Sequence, residues 1–178
     1  MTPEIKTILI PVDGSEHAHK AALIGAAIAA RFGARVILLH VLLRNVSLAK
    51  LYELARIQKM PSDVLERLKS IAPAVYDFGL TVPAGVIHPV APTDLLVEIG
   101  RNVLETEKAD IEGKGAKNVE SVIEDGDPAH KILEIIKKEK ADFVVMGRRG
   151  LGALEGILSG SVSTKVSHLA NATVVSVT

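Results

Sequence analysis

The stretch Val144–Ser161, VVMGRRGLGALEGILSGS, decides how this chain is read. It opens on an apolar, β-branched run and closes on SVSTKV, the start of a helical pattern. Between them, five of the chain's fourteen glycines fall in the fourteen residues from Gly147 to Gly160. Glycine lets backbone N–H groups approach an anion closely, and the first turn of a following helix adds unsatisfied donors and partial positive charge. Arg148 and Arg149 stand in the same loop against a single acid, Glu155. A strand, a glycine-rich loop and a helix in that order suit phosphate better than a connection that merely turns the chain.

Two familiar phosphate loops do not fit. A P-loop needs Gly-Lys followed by Ser or Thr, whereas the one Gly-Lys pair, Gly113-Lys114, precedes Gly115. The dinucleotide fingerprint fails because Glu155 follows Gly150-Leu151-Gly152 where glycine is needed, and because the loop follows the fourth strand instead of the first.

Outward from this loop, β-branched runs at Ile5–Val12, Ala34–Val41, Asn118–Ile123, Asp142–Gly147 and Thr173–Thr178 predict five strands. Several are apolar at consecutive positions, as expected when helices cover both faces of a parallel sheet. Helical patterns occupy Ser15–Phe32, about Thr93–Ile111, Asp127–Lys140 and Ser161–Ala170. In the third of these, Ala129, Ile132, Leu133 and Ile136 form one stripe, with Asp127 as cap and Pro128 in the first turn. The alternation predicts an α/β fold with a doubly wound five-stranded parallel sheet.

About fifty residues separate the second strand from the Thr93 helix, far more than such connections use. The chain therefore reads as one domain, 1–178, carrying a helical and loop insertion at about Arg44–Pro92. Within it, Leu48, Leu51, Tyr52 and Ala55 make one stripe, and Val64, Leu65, Leu68 and Ile71 a second. Pro73, Pro83, Pro89 and Pro92 then predict an irregular loop.

Composition narrows the function. Lysine plus arginine (21) balance aspartate plus glutamate (21), and aromatic residues are scarce, which argues against a nucleic-acid or anionic-membrane partner. The longest apolar stretch, Ala21–Ala30, is half of what a bilayer crossing needs, and MTPEIK does not read as the start of a signal peptide, so a cytoplasmic protein is expected. Absence of cysteine removes disulfides, thiolate nucleophiles and cysteine metal sites. The six histidines are poorly spaced for a metal: His17 and His19 point to different helix faces, His40 reads as an interior or pocket-edge residue, and His88, His130 and His168 lack evident partners. No Gly-x-Ser-x-Gly elbow or His-Glu-x-x-His motif supports acyl transfer or zinc hydrolysis, and no catalytic residue is assigned.

The spacing Gly147-x2-Gly150-x9-Gly160-Ser161 resembles the signature of ATP-binding members of the universal stress protein family. The resemblance extends to ILIPVDGSEHAHKAA, VILLHV, GDPAHKI and ATVVSV, covering most of the chain outside Arg44–Pro92. It implies the strand order 3-2-1-4-5, which sets the loops after strands one and four side by side at the switch point where open α/β sheets bind ligands. It also implies a site. Pro11, Val12 and Asp13 would lie against adenine and ribose, with Asp13 taking a sugar hydroxyl or helping to position Mg2+ (or Mn2+). Val41 would meet the adenine edge through its backbone, and Met146 and Gly147 would line the pocket. Gly150, Gly160, Ser161, Val162 and Ser163 would hold phosphates.

The expected function is a nucleotide-dependent switch or stress-response regulator that binds ATP and acts on an unidentified protein partner. A slow ATPase or nucleotide-dependent transferase using the same pocket, and an interaction adaptor with structural ATP, are the alternatives. A homodimer through Thr173–Val177 is expected, since this run is apolar, carries no proline or charge, and falls at a sheet edge in the implied order.

Overall fold

A computed structural model describes residues 4–71, 90–152 and 160–178. Five strands, β1 (Thr7–Pro11), β2 (Arg35–Val41), β3 (Val119–Glu124), β4 (Phe143–Gly147) and β5 (Thr173–Val177), form one sheet in the order β3-β2-β1-β4-β5. Every neighbouring pair is parallel, with Ile8 opposite both Val36 and Phe143. The doubly wound α/β architecture and the order 3-2-1-4-5 are those expected.

Alternation along the strands divides the core in two. Ile8, Ile10, Val36, Leu38 and Val145 point to one face; Leu9, Ile37, Leu39, Val41, Val144 and Met146 point to the other. The first face is covered by α1 (Glu16–Phe32) and α4 (Thr93–Gly113), together with α2 (Leu48–Ile57) and α3 (Ser62–Ile71). The second is covered by α5 (Pro128–Glu139) and α6 (Ser161–Leu169). Double coverage explains why the central strands carry consecutive apolar residues, Ile8–Ile10 in β1, Val36–Leu39 in β2 and Phe143–Met146 in β4.

Local chemistry fixes where the helices start. Ser15 accepts the Ala18 N–H at 3.3 Å, and Asp127 accepts the His130 N–H at 3.0 Å with Pro128 directly following. Gly33, at φ +67°, ends α1 in a left-handed turn that suits glycine.

The two amphipathic stripes after β2 are both helices, and both join the core on the α1/α4 face. Their faces are rotated slightly from those expected. In α2 the buried residues are Leu48, Leu51, Leu54 and Ala55, with Tyr52 half-buried; in α3 Val64 and Leu68 are buried while Leu65 and Ile71 lie at the margin. In α5, Ile135 is buried and Leu133 half-buried, the reverse of the expected stripe. Each helix has more apolar positions than one face holds, so the neighbouring elements select among them. The proline-rich stretch with Pro73, Pro83, Pro89 and His88, and the loop residue Glu155, lie outside the described residues.

Candidate functional site

The loops after β1 and β4 are adjacent because β1 and β4 pair, so the chain crosses to opposite sides of the sheet at this point. Between them opens a cleft of about 340 Å3. It is lined by all eleven residues expected there: Pro11, Val12, Asp13, Val41, Met146, Gly147, Gly150, Gly160, Ser161, Val162 and Ser163. Residues from the ends of three strands, the loop after β4 and the start of α6 are thus brought together from across the sequence.

The signature glycines have separate reasons to be glycine, and each reason lies within the protein. A Cβ on Gly147 would stand 2.9 Å from the Ala18 nitrogen, so any side chain would push the end of β4 off the start of α1. At Gly150 it would stand 2.2 Å from Asp13 Oδ2, and at Gly160 3.0 Å from the Arg148 carbonyl oxygen. The glycines draw the β4 loop against the β1 loop and fold it back on itself.

Asp13 is the link between the two loops. Its Oδ1 accepts the Ser15 N–H at 3.0 Å, and its Oδ2 accepts the Leu151 N–H at 2.7 Å. The two bonds fix the carboxylate at the cleft wall and pin the β4 loop to the β1 loop. Behind it, buried His40 stands with Nδ1 3.0 Å from the Val12 carbonyl oxygen, so the Nδ1–H tautomer donates there. Burial pushes the His40 imidazolium below its ordinary range, favouring that neutral donor.

Across the cleft, Arg148 serves through its backbone. Its N–H donates to the Val177 carbonyl at 2.7 Å, and its own carbonyl accepts the Gly160 N–H at 2.9 Å and the Ser163 hydroxyl at 2.7 Å. Ser163 is buried and its hydroxyl staples the loop. A helix leaves the N–H groups of its first turn without intrahelical partners, and in α6 these belong to Ser161, Val162 and Ser163.

Other lining residues were not picked out by sequence. Arg44, Asn45 and Val46 form a wall beyond β2, and Gly126, Asp127 and Pro128 form one beyond β3. Arg44 ties these walls with two 2.6 Å bonds to the Asp125 carboxylate and one of 3.2 Å to the Thr93 hydroxyl. The Asp127-Pro128 pair was visible as a helix cap; nothing in the spacing marked Arg44. The His130 N–H, then Lys165, hold the Asp127 carboxyl below the usual carboxylate range. Among the described residues no group of three or more His, Cys, Asp or Glu is arranged to hold a metal, and no helix is long and apolar enough to cross a membrane.

The family model described as the universal stress protein family matches residues 4–178. A universal stress protein of Thermus aquaticus is 30% identical over 164 residues, covering 90% of each chain. The chain belongs to the universal stress protein family. Among solved structures, that of the hypothetical protein MJ0577 is 28% identical with a TM-score of 0.65, covering 98% of this chain and 96% of that one. A universal stress protein from Archaeoglobus fulgidus in complex with dAMP is 17% identical with a TM-score of 0.60, covering 99% of this chain and 100% of that one. Another, in complex with cAMP, is 19% identical at a TM-score of 0.60, covering 99% and 98%. These last two share the fold.

Proposed function

We propose that the cleft binds ATP and that the chain acts as a nucleotide-dependent switch whose bound state is read by a protein partner. The observation that carries this reading is the cradle itself: a cleft of about 340 Å3, within the usual range for small-molecule sites, lined both by Asp13 and by the first-turn residues of α6. Proteins of the same fold that carry cAMP and dAMP support it by analogy. Pro11, Val12, Val41 and Met146 offer apolar walls for adenine, while Gly150, Gly160, Ser161, Val162 and Ser163 face the phosphates. The whole chain, 1–178, works as one nucleotide-binding domain with 44–92 as its insertion.

A divalent cation fits this donor set. The two carboxylates among the cleft's described lining, Asp13 and Asp127, are too few ligands for a closed metal site, but Mg2+ is commonly held by one or two carboxylates together with substrate phosphates. Asp13 would supply the carboxylate, and the cation would offset phosphate charge. Both oxygens of the Asp13 carboxylate are occupied by the Ser15 and Leu151 N–H groups, so on this reading binding comes before chemistry.

ATP with Mg2+ raises the melting temperature of the protein on this reading, by the equivalent of about 2.7 kcal/mol at a concentration one hundred times Kd. Gly150→Val displaces the Asp13 carboxylate and removes that shift. Equal protection of variant and parent by ATP would sink the site assignment.

We also propose that two copies pair antiparallel along β5, the sheet's edge strand, where Val174 and Val175 are only half-buried. Light scattering at tens of micromolar reads a dimer for the parent and a monomer for Val175→Pro, which removes a backbone donor. A folded proline variant that stays fully dimeric excludes this interface.

A further inference from the structure

Helix α2 reaches both loops of the cleft without lining it. On one side Leu54 and Gln58 press on Gly14, where a Cβ would stand 2.6 Å from Leu54 Cδ1 and 3.0 Å from Gln58 Nε2. On the other side Lys50 Nζ donates to the Leu151 carbonyl at 2.9 Å. The same Leu151 peptide link region is therefore held at two points, its N–H by Asp13 at 2.7 Å and its carbonyl by Lys50. Sequence spacing gives no hint of this. Lys50 stands off the buried stripe of Leu48, Leu51, Leu54 and Ala55, where a lysine is ordinarily a solvated helix residue.

We propose that Lys50 is a positioning residue supplied by the inserted helix: by holding the Leu151 carbonyl, it keeps the Leu151 N–H aimed at Asp13 and sets the β4 loop for phosphate. The consequence for affinity rests on the ATP-binding reading; the clamp on Leu151 does not. A charged donor on a backbone carbonyl is stronger than a neutral one, and the contact joins residues 101 positions apart, so it orders the loop from outside. In this scheme Lys50 acts on the nucleotide through Leu151. It touches neither base nor ribose, and its removal weakens ligands in proportion to their dependence on the loop.

The experiment uses the full chain with Lys50→Met, which keeps the side-chain length and removes the charge, and Lys50→Arg, which keeps a donor. Amide exchange of Leu151 is measured without nucleotide, and Kd is measured for ATP and for AMP with Mg2+. The expected result is loss of Leu151 protection in Lys50→Met, ATP binding weakened about five- to tenfold, AMP binding changed less than twofold, and recovery of most of both effects in Lys50→Arg. Parent-like protection of Leu151 in Lys50→Met overturns the proposal. So does an equal loss of ATP and AMP affinity accompanied by a large fall in melting temperature, which is the mark of a merely structural role. A parent that binds no adenine nucleotide overturns the functional reading instead, and the exchange measurement then decides the clamp by itself.

Discussion

The two faces of the sheet are built differently. Against α5 and α6, Leu9, Ile37, Leu39, Val144 and Met146 meet Ala129, Ile132, Ile135, Ile136 and Val166, and among the described residues the one buried polar side chain on those two helices is Ser163, at the start of α6. Against α1, α4 and the inserted helices the core is larger, and buried polar groups sit beside it. His40 reaches the Val12 carbonyl, and Glu107 on α4 accepts from His19 on α1 at 3.0 Å. Close approaches also cluster there: a Cβ on Gly25 would stand 2.5 Å from Ile10 Cδ1, and one on Gly100 2.6 Å from His40 Cδ2. Away from the cleft the α5/α6 face is held by apolar contacts, whereas the α1/α4 face adds buried side-chain pairings, one of which, His40 to the Val12 carbonyl, supports the β1 loop. A site that needs fixed geometry is better supported from the second.

The largest effect is expected on the plain face. Ile135 is 4% exposed and lies outside the lining of the cleft, and Ile135→Ala should cost about 2–5 kcal/mol in urea denaturation through lost burial and a residual cavity. Nucleotide affinity per folded molecule should change little. A loss of affinity far beyond the loss of stability would break the distinction between the faces.

Gly100→Ala tests the other face with a single carbon. The added methyl must displace the His40 ring, which is held by its bond to Val12, so a destabilisation of about 1–3 kcal/mol is expected. Because Val12 precedes Asp13, ATP affinity should fall as well. Stability lost with ATP affinity intact would show that His40 supports the core alone.

The smallest effect is one of slope. Burial raises the Glu107 carboxyl above its ordinary 4.5, against the opposing pull of His19, so ionisation is harder in the folded state. This group's contribution is fully present below pH 4.5 and is lost as pH rises through the higher folded value. His40 has the opposite sign. Its folded value lies below 6.5, so its contribution is present above pH 6.5 and lost as pH falls through the lower value. Denaturation midpoints of parent and Glu107→Gln from pH 4 to 8 isolate the first: the parent's advantage should shrink as pH rises. A constant difference across that range would refute the assignment.

Much of this was legible in the sequence. Unbroken apolar runs specified strands buried on both faces, Asp127-Pro128 specified a helix start, and the spacing of Gly147, Gly150, Gly160 and Ser161 located the loop that lines the cleft. These are local signals, set by backbone conformation and by side-chain period along a few turns or residues. The stripes of α2, α3 and α5 were right in kind but loose in phase, since an amphipathic pattern with surplus apolar positions leaves the buried face to its neighbours.

What only the tertiary structure decided are the pairings between distant residues. Three signature glycines are glycine because Ala18, Asp13 and the Arg148 carbonyl occupy the space a side chain would need. Asp13 finds Leu151 across 138 positions, His19 finds Glu107 across 88, and Lys50 finds Leu151 across 101. The sequence by itself determined the alternation of elements and the place of the loop, because both follow from local preference and hydrophobic period. The partners of Asp13, His19 and Lys50 were decided by the packing of strands and helices, because a hydrogen bond depends on separation in space and leaves no period along the chain.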